Sequence, residues 1–157
     1  MSVRAGVDVA TADEMRALGE RLGQSCRPGD VVLLVGDLGA GKTTLTQGIA
    51  AGVGISDAIT SPTFVIARSH RHPSGGPHLV HVDAYRLAGS VELDDLDLES
   101  DLATSVVVVE WGEGIADGLA DDRLGVRIER RDEEDDLRHV SFEPHGERWA
   151  SVVAGLS

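Results

Sequence analysis

The chain has 157 residues, 41% of them apolar but only 3% aromatic, and a formal net charge of −13. That length fits one domain over residues 1–157, with a core built from Val, Leu, Ile and Ala. The acidity argues against a chain that grips RNA unaided, and the sole cysteine, Cys26, excludes a disulfide framework or a thiolate metal cluster within one chain.

The first residues show no apolar signal-peptide core, and no stretch is long and uncharged enough to span a membrane. A soluble cytoplasmic protein is the expectation. Thr11 to Glu14, "TADE", reads as a capping box, and Met15, Leu18 and Leu22 then recur at helical spacing. Pro28 and Gly29 mark the turn after this helix. "VVLLV" (Val31 to Val35) is continuously apolar and β-branched, as in a parallel strand covered on both faces. A glycine-rich loop, Gly36 to Gly41, leads into a helix from Lys42 to Ala51 with Leu45 and Ile49 inward. Gly52 and Gly54 are placed to end that helix.

Pro62 breaks any helix, and Thr63 to Ala67 reads as a strand. "RHPSGGPH" turns the chain into "LVHVDAY", a strand ending near Asp83. Two strands around a short turn suggest an antiparallel pair, so the sheet is expected to be mixed. Six acids between Glu92 and Asp101, punctuated by Leu93, Leu96 and Leu98, read as an acidic helix or turn. "VVVVE" (Val106 to Glu110) is a second fully apolar strand, and "WGEGIADGL" a turn and short helix. "LGVRIER" and "LRHVSFE" alternate as strands around a solvated tip, "RDEEDD". Glu147 to Leu156 reads as a closing helix.

Gly36, Gly41, Lys42 and Thr43 satisfy G-x-x-x-x-G-K-[ST], with a buried strand before and a helix after. Successive backbone N–H groups from Asp37, Leu38, Gly39, Ala40 and Gly41 form a nest for phosphates, and the helix start adds its own unpaired donors. Lys42 is expected to reach the β- and γ-phosphates, and Thr43 to offer its hydroxyl to Mg²⁺. Thr44 either touches the α-phosphate or is simply a helix residue.

Triphosphate hydrolysis also needs a carboxylate on the metal side and a group that orients water. Asp83 and Glu110 each follow an apolar strand, at the carboxyl edge of a parallel sheet. Each is otherwise a helix cap or a solvated strand end. Thr60 to Thr63 lies where a γ-phosphate sensor can sit, or is a hydroxyl-rich turn stiffened by Pro62. His81 alternates with Val80 and Val82 and reads as packed in its strand. Trp111 flanks a purine or belongs to the core.

"GDLGAGKTTLTQGIA", "SPTFVI", "HVDAYRL" and "VVVVEWGE" stand in this order. Together they resemble the bacterial TsaE (YjeE) family over Thr11 to Leu124. The resemblance implies a small α/β, P-loop NTPase-like three-layer sandwich with a mixed central β-sheet flanked by helices. It implies a Mg²⁺-dependent ATPase acting with TsaB and TsaD in threonylcarbamoyladenosine modification of tRNA, without itself transferring the group. The tRNA would be held mainly by those partners. It further implies that Lys42 holds phosphate, that Thr43 and Glu110 serve the metal, and that Asp83 is tied to water activation or switching. Ser61 and Thr63 match a switch-like loop, Trp111 a residue near the nucleotide, and Thr11, rather than Met15, the adenine contact. A small-molecule kinase and a non-hydrolysing nucleotide-gated module are the other readings of the same loop.

Overall fold

A computed structural model of the chain describes residues 5–36, 41–55, 67–83, 104–110, 122–130 and 137–156. The described strands are β1 (Ala5–Val9), β2 (Val31–Gly36), β3 (Ala67–His70), β4 (His78–Asp83), β5 (Ser105–Glu110), β6 (Arg123–Arg130) and β7 (Arg138–His145). The helices are α1 (Ala12–Gln24), α2 (Lys42–Val53) and α3 (Glu147–Leu156). The strands form one sheet in the order β1-β7-β6-β2-β5-β4-β3.

Its centre is parallel: β2 pairs with β5 and β6, and β5 pairs with β4, all in the same direction. The edges are antiparallel, β1 on β7, β7 on β6 and β3 on β4. The sheet is therefore mixed, as the sequence predicts. Apolar runs sit where both faces are covered. Val32, Leu34, Val106 and Val108 belong to the core cluster beneath the helices. Val107, Val109 and Val82, on the opposite face, are fully buried as well.

Two sequence expectations shift. The strand expected at Thr63 to Ala67 is described only from Ala67 and runs on to His70, residues 63–66 lying outside the described set. Gly52 does not end α2, which continues to Val53 and is capped by Gly54 in the left-handed region. Strand β1 is too short, with only Val7 and Val9 alternating, to stand out in the sequence. The acidic segment 92–101, the tip 131–136 and the helix expected after Trp111 lie outside the described residues.

Gly52 is instead part of the contact between α1 and α2. A methyl group on Gly19 would overlap the carbonyl oxygen of Leu45, and one on Gly23 that of Ile49. From the other helix, a methyl on Gly48 would overlap the carbonyl of Arg16, and one on Gly52 that of Glu20. Four glycines, each helix contributing a pair four residues apart, thus bring two backbones into direct contact. The α1 start is fixed by the expected capping box. Thr11 Oγ1 accepts from the Glu14 amide at 3.1 Å, and Glu14 Oε2 accepts from the Ala10 amide at 2.7 Å.

Helix α3 buries Trp149, Val153 and Leu156 against the sheet. Arg148 ties it to the turn before β2, donating to Asp30 Oδ1 at 2.5 Å and to the Ser25 carbonyl at 2.6 Å. Nearby, the Cys26 thiol donates to the Leu22 carbonyl at 3.4 Å. Burial, helped by the Asp30 carboxylate and opposed by Arg148, pushes this thiol from 9.0 up to about 12.

Three outcomes are expected. Gly48→Ala must force the helices apart and should lower stability by about 1–3 kcal/mol or more, read as a drop in the thermal midpoint. Gly155→Ala, where nothing lies within 4 Å of the added methyl, should instead raise the midpoint slightly. At pH 8, Cys26 should alkylate far more slowly in the folded chain than in denaturant, because the raised pKa suppresses the thiolate. Equal rates in the two states would contradict this environment.

Candidate nucleotide site

Four parallel strands end at one edge of the sheet. Glu110 closes β5 and stands in register with Asp83, the last residue of β4, on one side. On the other side Glu110 is paired with Leu34, two residues before Gly36 ends β2. Gly36, Glu110 and Asp83 therefore terminate three adjacent strands. An open parallel sheet places ligands in this position, beyond the strand ends, where the chain leaves neighbouring strands in different directions.

Helix α2 begins at the same edge. Its N-cap, Gly41, has φ +114°, a left-handed conformation that strains any residue with a side chain. A Cβ there would also stand 3.2 Å from Met15 Cε, so the first turn of α1 lies directly against the end of the loop. Gly41 offers no side chain to cap the helix, and the first turn of α2 carries no acid. The helix start is thus positively polarised and suits an anion.

Lys42 is buried, only 7% exposed, and its ammonium donates to the Gly36 carbonyl at 2.5 Å. The side chain therefore bridges from the helix start back to the strand end, across the loop. Thr43 and Thr44, next on the helix, are half-buried. Thr46 is fully buried and its hydroxyl donates to the Lys42 carbonyl at 2.8 Å, bracing this first turn from within.

Glu110 is 4% exposed, an unusual place for a carboxylate. Beside it lies His81, fully buried, with Nε2 3.2 Å from Glu110 Oε1. The pair is close enough for electrostatic contact but out of line for a hydrogen bond. Both imidazole nitrogens and Glu110 Oε1 lack a hydrogen-bond partner. A buried carboxylate with one oxygen lacking a hydrogen-bond partner, at the end of the strand next to β2, is a group that fits a hard cation or its water shell. The residues thus fit Mg²⁺, with Glu110 and the Thr43 hydroxyl as the groups that would serve it.

The structure gathers Gly41, Lys42, Thr43, Thr44, Glu110 and the backbone of Asp83 at one edge. Thr11 caps α1, whose first turn also carries Met15 against Gly41. Asp37, Leu38, Gly39 and Ala40 of the loop, together with Ser61, Thr63 and Trp111, lie outside the described residues. His81 is packed in its strand, as its alternation with Val80 and Val82 predicts, but sequence reasoning missed its contact with Glu110. The parallel register of β4 and β5 puts the two on one sheet face, and the sequence alone carries no signal for that register.

The sequence model for "Threonylcarbamoyl adenosine biosynthesis protein TsaE" matches residues 9–140. The chain is 56% identical over 148 residues to the Streptomyces coelicolor tRNA threonylcarbamoyladenosine biosynthesis protein TsaE, covering 90% of this chain and all of the relative. The Bacillus subtilis protein of the same name is 38% identical over 146 residues, covering 92% of this chain and 89% of its own. The crystal structure of YdiB from Bacillus subtilis superposes with a TM-score of 0.80 at 33% identity, covering 99% of this chain and 95% of that one. With a family match over most of its length and the same α/β fold as a solved relative, the chain belongs to the TsaE family.

Proposed function

We propose that the chain is a Mg²⁺-dependent ATPase that serves threonylcarbamoyladenosine modification of tRNA in the cytoplasm as a partner of TsaB and TsaD. The observation that carries the reading is the buried Lys42 at the start of α2, bonded to the end of β2, with the buried Glu110 at the end of the neighbouring strand β5. A buried cation donor and a buried carboxylate at a positively polarised helix start suit a triphosphate and its metal. The relatives' names supply the biosynthetic context.

In this reading Lys42 binds the β- and γ-phosphates from inside the loop. Gly41 keeps the backbone free of a Cβ where the phosphates approach, and the amides of Asp37 to Thr43 with the Thr44 hydroxyl complete the cradle. Thr11 and Trp111 flank the base. Mg²⁺, when bound, neutralises charge on the phosphates and polarises the bond to be broken. Thr43 and Glu110 orient it, and Asp83 positions the attacking water. The acidic surface, with its −13 charge, leaves tRNA to the partner proteins.

Steady-state ATP hydrolysis, measured on the purified chain alone and then with TsaB and TsaD, tests this. The expected result is marked stimulation by the pair, with Lys42→Ala and Glu110→Ala each lowering kcat/KM by about 100-fold or more. Tight ATP binding with no stimulation by a competent TsaB–TsaD pair would sink the partner-activated ATPase. A non-hydrolysing module or a kinase awaiting a small acceptor would then take its place.

A further inference from the structure

Resting on the Mg-nucleotide reading above, the geometry points to His81 as a positioning residue that holds the Glu110 carboxylate in the orientation the metal requires. His81 sits on β4 two residues before Asp83, and Glu110 ends the neighbouring parallel strand, so the two form a diagonal cross-strand pair. His81 is fully buried, and Nε2 stands 3.2 Å from Glu110 Oε1.

A packing role alone does not account for the residue. The strand positions around it, Leu79, Val80 and Val82, are apolar and buried, and a leucine or valine would fill the same space without polar atoms. The imidazole instead leaves two nitrogens without hydrogen bonds in the core, Nε2 beside a carboxylate oxygen that also lacks one. Unpaired polar groups in contact are a poor solution for stability and a useful one for a site whose geometry tightens on ligand binding. A small rotation of either group aligns Nε2–H with Oε1. That bond fixes one carboxylate oxygen and stops the group from swinging about its terminal torsion. With Oε1 held in this way, Oε2 is the oxygen that would serve the metal. Groups that orient metal-side ligands in this way typically change metal affinity or activity by about 10–100-fold when removed.

The atom in contact is Nε2, which sets the test. A glutamine amide nitrogen reaches the Nε2 position; an asparagine amide reaches only Nδ1; leucine supplies volume alone. His81→Gln, His81→Asn and His81→Leu are therefore compared with wild type by binding of a fluorescent ATP analogue, titrated with Mg²⁺ and repeated in EDTA, alongside thermal melts. The Asn and Leu variants should need about 10-fold or more Mg²⁺ for half-maximal enhancement of binding, with affinity in EDTA unchanged and the fold retained. The Gln variant should stay close to wild type. If all three match wild type, or if Gln fails as badly as Asn, His81 does not position the acid. Should the Leu variant fail to fold, the Gln–Asn comparison still decides. A wild-type chain whose nucleotide binding ignores Mg²⁺ would overturn the metal reading itself, and this inference with it.

Discussion

The contact between α1 and α2 sets the geometry on which the site depends. Gly19 and Gly23 meet Gly48 and Gly52 so closely that the backbones touch, with carbonyl oxygens occupying the space a methyl group would need. Two consequences follow for this edge of the sheet. The start of α2, with Gly41 and Lys42, is held over the ends of the parallel strands rather than tilted away from them. The first turn of α1 is carried to the same place, so that Met15 packs on Gly41. A bulkier seam would move the helix start relative to β2 and β5, and the fit between Lys42 and the strand ends would be lost.

The second feature is the set of buried polar groups gathered at this end of the sheet. Lys42, Thr46, His81 and Glu110 are all buried, while Val31, Leu79, Val106 and Val107, further from that end, are fully buried hydrophobes. Thr46 and Lys42 satisfy part of their capacity on backbone carbonyls. His81 and Glu110 do not. An unpaired buried polar group costs about 1–3 kcal/mol, a large share of a domain's net stability. Stability alone gives no reason to keep such a pair, whereas a site that completes its interactions on ligand binding does.

Much of this was legible in the sequence because the relevant constraints are local. "VVLLV" and "VVVVE" are continuous apolar runs that fit strands covered on both faces, and β2 and β5 are buried accordingly. The capping box at Thr11 to Glu14 and the closing helix from Glu147 also stand as read, since each depends on residues within a few positions. What escaped depends on register between distant segments. Gly52 looked like a helix stop because glycine usually is one, but tertiary contact with Glu20 makes it an interior residue. His81 is packed in its strand as read, but its contact with Glu110 escaped because that residue is 29 positions away, on a strand whose direction and register only the fold supplies.

The most direct test of the account is a crystal structure of the chain with Mg²⁺ and a non-hydrolysable ATP analogue. The account predicts the triphosphate at the start of α2 with Lys42 Nζ on its β- and γ-phosphates. The metal should lie on the Thr43 hydroxyl, with Glu110 bonded to it directly or through one water. A nucleotide bound elsewhere, or a metal with Glu110 still turned into the core and out of reach, would contradict the assignment of this edge as the catalytic site.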